Sequence, residues 1–118
     1  MSTYLYRKSL DTYGLSSQLD QTIEECAELT IAIRHYKRGR CTIEDLAAEM
    51  ADVEIMLEQM RLVYGPQIDA AKEIKLVRLE ERLLVGAALT EFFALVCAYE
   101  QGYAAKEIKL ARPVERLL

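Results

Sequence analysis

Seven apolar side chains, Ile43, Leu46, Met50, Val53, Leu57, Met60 and Tyr64, recur at alternating steps of three and four. An α-helix gathers that spacing into one stripe, and a heptad seam of this length suits helix-on-helix packing. A second stripe, Leu19, Ile23, Cys26, Thr30 and Ile33, runs along Ser16–Lys37 with the same rhythm and reads as one face of an amphipathic helix. Five Gly and two Pro in 118 residues leave few places for such helices to stop. The fold expected is all-α, a bundle of four or so helices over residues 16–37, 42–64, 67–84 and 87–101. Ser16 and Ser17 are candidate N-caps of the first, and Gly39 is its stop. Thr42, with Asp45 three residues on, forms a variant of the capping box for the second. Gly65 ends that helix, Pro66 opens the third in a position where proline is tolerated, and Gly86 separates the third from the fourth.

A hydrophobic content of 52% with 29% charged residues is globular and excludes a disordered or low-complexity chain. At this length about two-thirds of the unfolded surface can be buried, enough for one domain with a core. The net charge of −4 lacks the basic excess of a nucleic-acid binder, so no nucleic-acid partner is expected. Cys26, Cys41 and Cys97 are odd in number and widely spaced, which fits a reducing cytoplasm better than a disulfide framework. Met1–Lys8 has no apolar run of the secretory kind. The most apolar stretch, near Val85–Tyr99, is interrupted by Thr90 and Glu91 and reads as a buried helix, so no membrane partner is expected either.

The tail repeats an earlier segment. DAAKEIKLVRLEERLL at 69–84 and YAAKEIKLARPVERLL at 103–118 agree at twelve of sixteen positions. Two copies cannot build a solenoid, and Pro113 would break or kink a helix in the second, so a local duplication is the expected origin. Residues 1–84 are therefore read as the functional core and 85–118 as a helical extension.

Two acid pairs carry the chemical information. Glu25 and Glu28 lie one turn apart on the first long helix, and Glu49 and Asp52 stand in the same relation on the next. Asp52 sits among Ala48, Ala51, Val53, Ile55 and Met56, and no Lys or Arg falls three or four residues from any of the four acids. An antiparallel hairpin of the two helices would bring these charges together, along with Glu24. Carboxylates at close range are unfavourable unless protons or cations neutralise them. All-oxygen ligands favour Mg²⁺ or Mn²⁺. Acid pairs of this spacing also arise on solvated faces of acidic helical proteins, so spacing alone leaves both readings open. A di-iron centre fits less well, since it needs Glu-x-x-His, and the single histidine, His35, follows Ala32 at that interval.

The pattern EECAE at Glu24–Glu28 followed by EMAD at Glu49–Asp52 resembles the EExxE…ExxD signature of the MazG-like, all-α nucleoside triphosphate pyrophosphohydrolases. The flanking runs SQLDQTIEECAEL (Ser17–Leu29), IEDLAAEMADVEIMLEQM (Ile43–Met60) and KEIKLVRLEERL (Lys72–Leu83) are similar in order and spacing, so the resemblance covers about Leu15 to Leu84. It implies cleavage of a nucleoside triphosphate between its α- and β-phosphates, with Mg²⁺ (Mn²⁺ as a substitute) held by Glu25, Glu28, Glu49 and Asp52. Glu24 would be the catalytic acid that helps hold a second metal or orients the attacking water. Phosphoribosyl-ATP pyrophosphohydrolases have similar acids, but the residues after Asp52 (VEIMLEQM) look more like the MazG-like group. A helical interaction module without catalysis is the other alternative.

Phosphate oxygens left free by the metal need cations from the protein. Arg34, Lys37, Arg38 and Arg40 cluster at the end of the first helix, and Lys75, Arg78 and Arg82 share one face of the third. Lys37, Arg38, Lys75 and Arg78 are taken as substrate-binding candidates, although both groups also fit a solvated basic face paired with Glu73, Glu80 and Glu81. Gln18 is a candidate contact to sugar or base. Tyr4, Tyr6 and Tyr13 could stack on a base or cover the bundle. The apolar stretch ALTEFFALVCAY needs a partner surface, which points to a homodimer or homotetramer.

Overall fold

The structure, a computed structural model, describes residues 1–102, so the second copy of the repeat, with Pro113, lies outside the described residues. Three helices, α1 (Ser2–Tyr13), α2 (Leu15–Lys37) and α3 (Ile43–Glu100), account for nearly all of them, and there is no strand among the described residues. The chain divides into two compact units, one of Met1–Asp69 and one that begins at Ala70. The expected all-α class is what forms.

The N-terminal helix is not among the four expected from the sequence. Its twelve residues, STYLYRKSLDTY, bury no side chain, and it is held by packing against α2. Tyr6 lies half-buried beside Ala51, Ile55 and Leu57 of α3, while Tyr4 and Tyr13 are exposed. The α1–α2 junction is Gly14, at φ +86° and ψ 155°, a conformation that a Cβ strains. Its N–H donates to the Leu10 carbonyl at 2.9 Å, closing α1, and Gly14 itself caps α2. Ser16 and Ser17 therefore fall inside the first turn of α2 and do not cap it. At the other end the expected stop holds. Gly39, at φ +67°, donates to the Tyr36 carbonyl, and Arg40 N–H to that of His35.

The capping box of α3 forms as the sequence predicts. The Thr42 N–H and hydroxyl both donate to Asp45 Oδ2, at 2.9 and 2.8 Å, and the Asp45 N–H donates back to Thr42 Oγ1 at 3.1 Å. These donors hold the Asp45 carboxyl below its ordinary value.

At Gly65–Pro66 the expected boundary between two helices is present as a kink, and beyond it the expected third and fourth helices run on as one element. Pro66 has no N–H for the Leu62 carbonyl and its ring crowds that turn. The chain absorbs this at Tyr64 (φ −118°, ψ 17°), so the helix kinks and continues. Arg61 and Asp69, eight residues apart, meet across the kink at 2.7 Å. A straight helix would separate their backbones by about 12 Å. Gly86 does not stop the helix, because Leu, Val and Ala around it are good enough formers to carry one glycine. As a result α3 contains an 18-residue window of mean hydropathy 1.6, none of it buried, which by length and composition alone is enough to cross a membrane. The expectation of a buried helix there is not met among the described residues.

In the first unit the inward faces differ from the expected ones. The α2 stripe Leu19, Ile23, Cys26, Thr30 and Ile33 is exposed throughout, with Ile23 67% accessible. The face turned inward is Gln18, Gln21, Thr22, Glu25, Leu29 and Ala32. The α3 seam splits by heptad position. Leu46, Val53 and Met60 turn inward, joined by Met56 and Gln59, while Ile43, Met50, Leu57 and Tyr64 remain exposed. A polar face of α2 is thus set against α3, and two apolar stripes are left on the outside.

Candidate metal centre

That choice of faces creates the site. Glu25 is on the inward side of α2, and Glu49 is on the inward side of α3, with Asp52 one turn further along. One oxygen from each of these three carboxylates lies within 4.8 Å of the other two. Glu25 is oriented by its own helix, since Gln21 Nε2, one turn earlier, donates to its Oε1 at 2.6 Å. Glu49 is half-buried, and its Oε2 is inaccessible to solvent with no hydrogen-bond partner. An anionic oxygen in that position has lost its water and gained nothing in return.

The electrostatics follow. Burial, first, and then the charges of Glu28, Asp52 and Glu25 push the Glu49 carboxyl above its ordinary value. The three other acids of the two pairs singled out from the sequence therefore all bear on Glu49. No basic side chain pairs with any of them, because the single ion pair among the described residues is Arg61–Asp69. The chemistry of the set, oxygen donors with a surplus of negative charge and one orphaned oxygen, fits a hard divalent cation. Glu24 is exposed on an adjacent face of α2 and is not among the converging oxygens.

A shallow depression of about 250 Å³ adjoins the cluster, bounded by Glu28 and Glu49 and continuing over Ile31, Ala32, His35, Cys41 and Asp45. The Cys41 thiol donates to the Ala32 carbonyl at 3.6 Å, fixing the α2–α3 loop beside α2. His35, which the sequence disfavours as a ligand, is a wall of this depression and not a member of the acid cluster. Gln21 and Cys41 are the two contributors that the sequence reading misses. The signal for Gln21 is its place four residues before Glu25; Cys41 acts through the loop path, which no spacing encodes.

The other candidates are dispersed. Gln18 is buried at 8% exposure in the first unit, as Gln59 is, so it is a core side chain and not a presented contact. Lys37 ends α2 and Arg38 is its C-cap, both exposed. Lys75 and Arg78 belong to the second unit, where they share a surface with Glu81 and Arg82.

Comparison with protein-family models, with curated proteins and with solved structures finds no match to this chain.

Proposed function

We propose that the chain is a Mg²⁺-dependent nucleoside triphosphate pyrophosphohydrolase, which adds water across the α–β phosphoanhydride and releases a nucleoside monophosphate and pyrophosphate. The observation that carries the reading is the meeting of Glu25, Glu49 and Asp52 oxygens around an unpartnered, buried Glu49 oxygen. The resemblance of the EECAE…EMAD pattern to MazG-like enzymes supports it.

Glu25, Glu28, Glu49 and Asp52 would hold the metal, with Gln21 fixing the rotamer of Glu25. Mg²⁺, or Mn²⁺ in its place, supplies neutralisation of the polyphosphate and acidification of water when bound. Glu49, whose carboxyl is raised above its ordinary value, would hold the metal as its carboxylate, so binding would weaken as pH falls. Glu24, on the solvent side of the same helix, receives the proton of the attacking water. Lys37 and Arg38, where the α2 dipole also favours cations, take phosphate oxygens at the margin. The exposed stripes of α2 and α3 support a homodimer or homotetramer. Three free thiols fit a reducing, cytoplasmic setting.

The test is a panel of ribo- and deoxyribonucleoside triphosphates with Mg²⁺, with phosphoribosyl-ATP as a further substrate, scored for pyrophosphate against orthophosphate. Pyrophosphate as first product, reduced at least about 100-fold in Glu49→Gln, supports the enzyme. A second reading, a helical interaction module, is favoured by the amount of exposed apolar surface. No turnover of any substrate with Mg²⁺ or Mn²⁺ would establish it over the first.

A further inference from the structure

The helical stretch of α3 beyond Ala70 carries a seam outside the candidate site. Leu76, Leu79, Leu83, Gly86, Phe93 and Cys97, with Thr90 completing the run, follow one another at steps of three and four, and all are exposed. The one polar position is already satisfied, since Thr90 Oγ1 donates to the Gly86 carbonyl at 2.9 Å and leaves its methyl free for packing. Gly86 has no atom within 4 Å of where a Cβ would sit, so a neighbouring helix can approach closely there.

The residues flanking the seam change character along it. In the first half they are charged, with Glu73 and Glu80 on one side and Lys75 and Arg82 on the other. In the second half they are apolar, with Ala87 and Ala94 on one side and Leu89 and Val96 on the other. We propose that this stretch pairs with the same stretch of a second copy of the chain, parallel and in register, along the Leu76–Cys97 seam. Parallel pairing sets Lys75 of one copy beside Glu80 of the other, five residues on, the relation in which flanking charges of two parallel helices meet. It also packs the wide apolar half against its own equivalent. Antiparallel pairing would lay the charged flanks over Leu89 and Val96, desolvating Lys75 and Arg82 against hydrocarbon.

The same arrangement distinguishes a second copy from a bilayer. Glu91 lies midway along Leu83–Tyr99 and on the side away from Gly86. In a helix pair it lies off the seam, whereas in a membrane it would sit within the hydrocarbon at a cost of a few kcal/mol. The inference is independent of the catalytic reading, because none of these residues belongs to the acid cluster.

The experiment uses the full chain with Cys26→Ser and Cys41→Ser, leaving Cys97 as the single thiol. Mild oxidation with copper phenanthroline is followed by non-reducing electrophoresis over a tenfold dilution series. A disulfide-linked dimer whose yield is independent of dilution, lost in Cys97→Ser and reduced at least tenfold in Leu83→Glu/Phe93→Glu, is expected. Far-UV circular dichroism checks that the variants keep their helices, and Lys75→Glu, which by itself weakens cross-linking, is rescued by adding Glu80→Lys. Three results overturn the proposal. The first is no Cys97 cross-link at tens of micromolar. The second, which means antiparallel pairing, is a Leu79→Cys variant whose introduced thiol links efficiently to Cys97 of the other copy, with no product joining the two Cys97 side chains. The third is co-sedimentation with phosphatidylcholine vesicles in place of the cross-link.

Discussion

Glu49 concentrates the chemistry of this chain in one side chain. Its folded pKa is raised, so the folded protein binds its proton more tightly than the unfolded chain does. The sign follows directly. As pH rises from the ordinary glutamate range through the raised value, Glu49 takes stability away from the metal-free fold. Glu49→Gln, which removes the charge and keeps the shape, is therefore expected to raise the thermal midpoint of the metal-free protein at pH 7. The same variant loses the stabilisation that Mg²⁺ gives the parent, and scanning calorimetry with and without 10-fold excess metal over its Kd reads both effects, on the order of 1.4 kcal/mol for the metal term. A parent midpoint unmoved by Mg²⁺ would count against the site. Asp45 has the opposite sign. Its pKa is lowered by Thr42, so the stability it contributes is present above the ordinary aspartate range and is lost as pH falls through the lowered value. Thr42→Ala removes one side of that cap and is expected to cost about 1 kcal/mol in urea unfolding.

Elements are legible where one local rule decides them. The start of α3 follows from Thr42 and Asp45, and the end of α2 from Gly39, both visible as residue types at fixed offsets. Expectation and structure part where two rules compete. Gly86 reads as a stop and the helix runs through it, whereas the Gly65–Pro66 boundary is present as a kink with its distortion at Tyr64. The stripe of α2 is present as a stripe and lies on the opposite side from the one expected. Periodicity shows that one face is apolar, and it does not say whether that face turns toward α3 or toward something outside the unit. Helix α1 is not among the expected helices although Tyr6, Leu10 and Tyr13 recur at steps of four and three; it buries no side chain and rests on α2, with Tyr6 beside α3. The turn between them depends on Gly14, and Gly14→Ala, forced to φ +86°, is expected to lose about 1–3 kcal/mol, checked by the same urea titration.

At the scale of the molecule, the acid cluster and the exposed stripes have one cause. Only five described residues are buried, and two of them, Gln18 and Gln59, are amides. A domain of this size that packed its apolar stripes inside would bury far more. The acids stand out in the sequence as two i, i+3 pairs with no cation at helical spacing, and Glu25, Glu28 and Asp52 all act on Glu49. Glu24 and Gln18 are not placed where expected, since helical spacing fixes the angle between side chains but not which angle faces the partner helix. Two stripes that remain outside predict association. Ile23→Glu combined with Leu57→Glu is expected to lower the mass seen by sedimentation equilibrium without loss of helicity, and an unchanged mass would remove these stripes from the interface.

The most direct measurement is equilibrium binding of Mn²⁺, followed by electron paramagnetic resonance and competed with Mg²⁺, on the parent and on Glu49→Gln. Saturable binding that Mg²⁺ displaces, weakened at least tenfold in Glu49→Gln, is the predicted result. A parent that leaves Mn²⁺ free in solution, or a Glu49→Gln protein that binds it as well as the parent, would contradict the account.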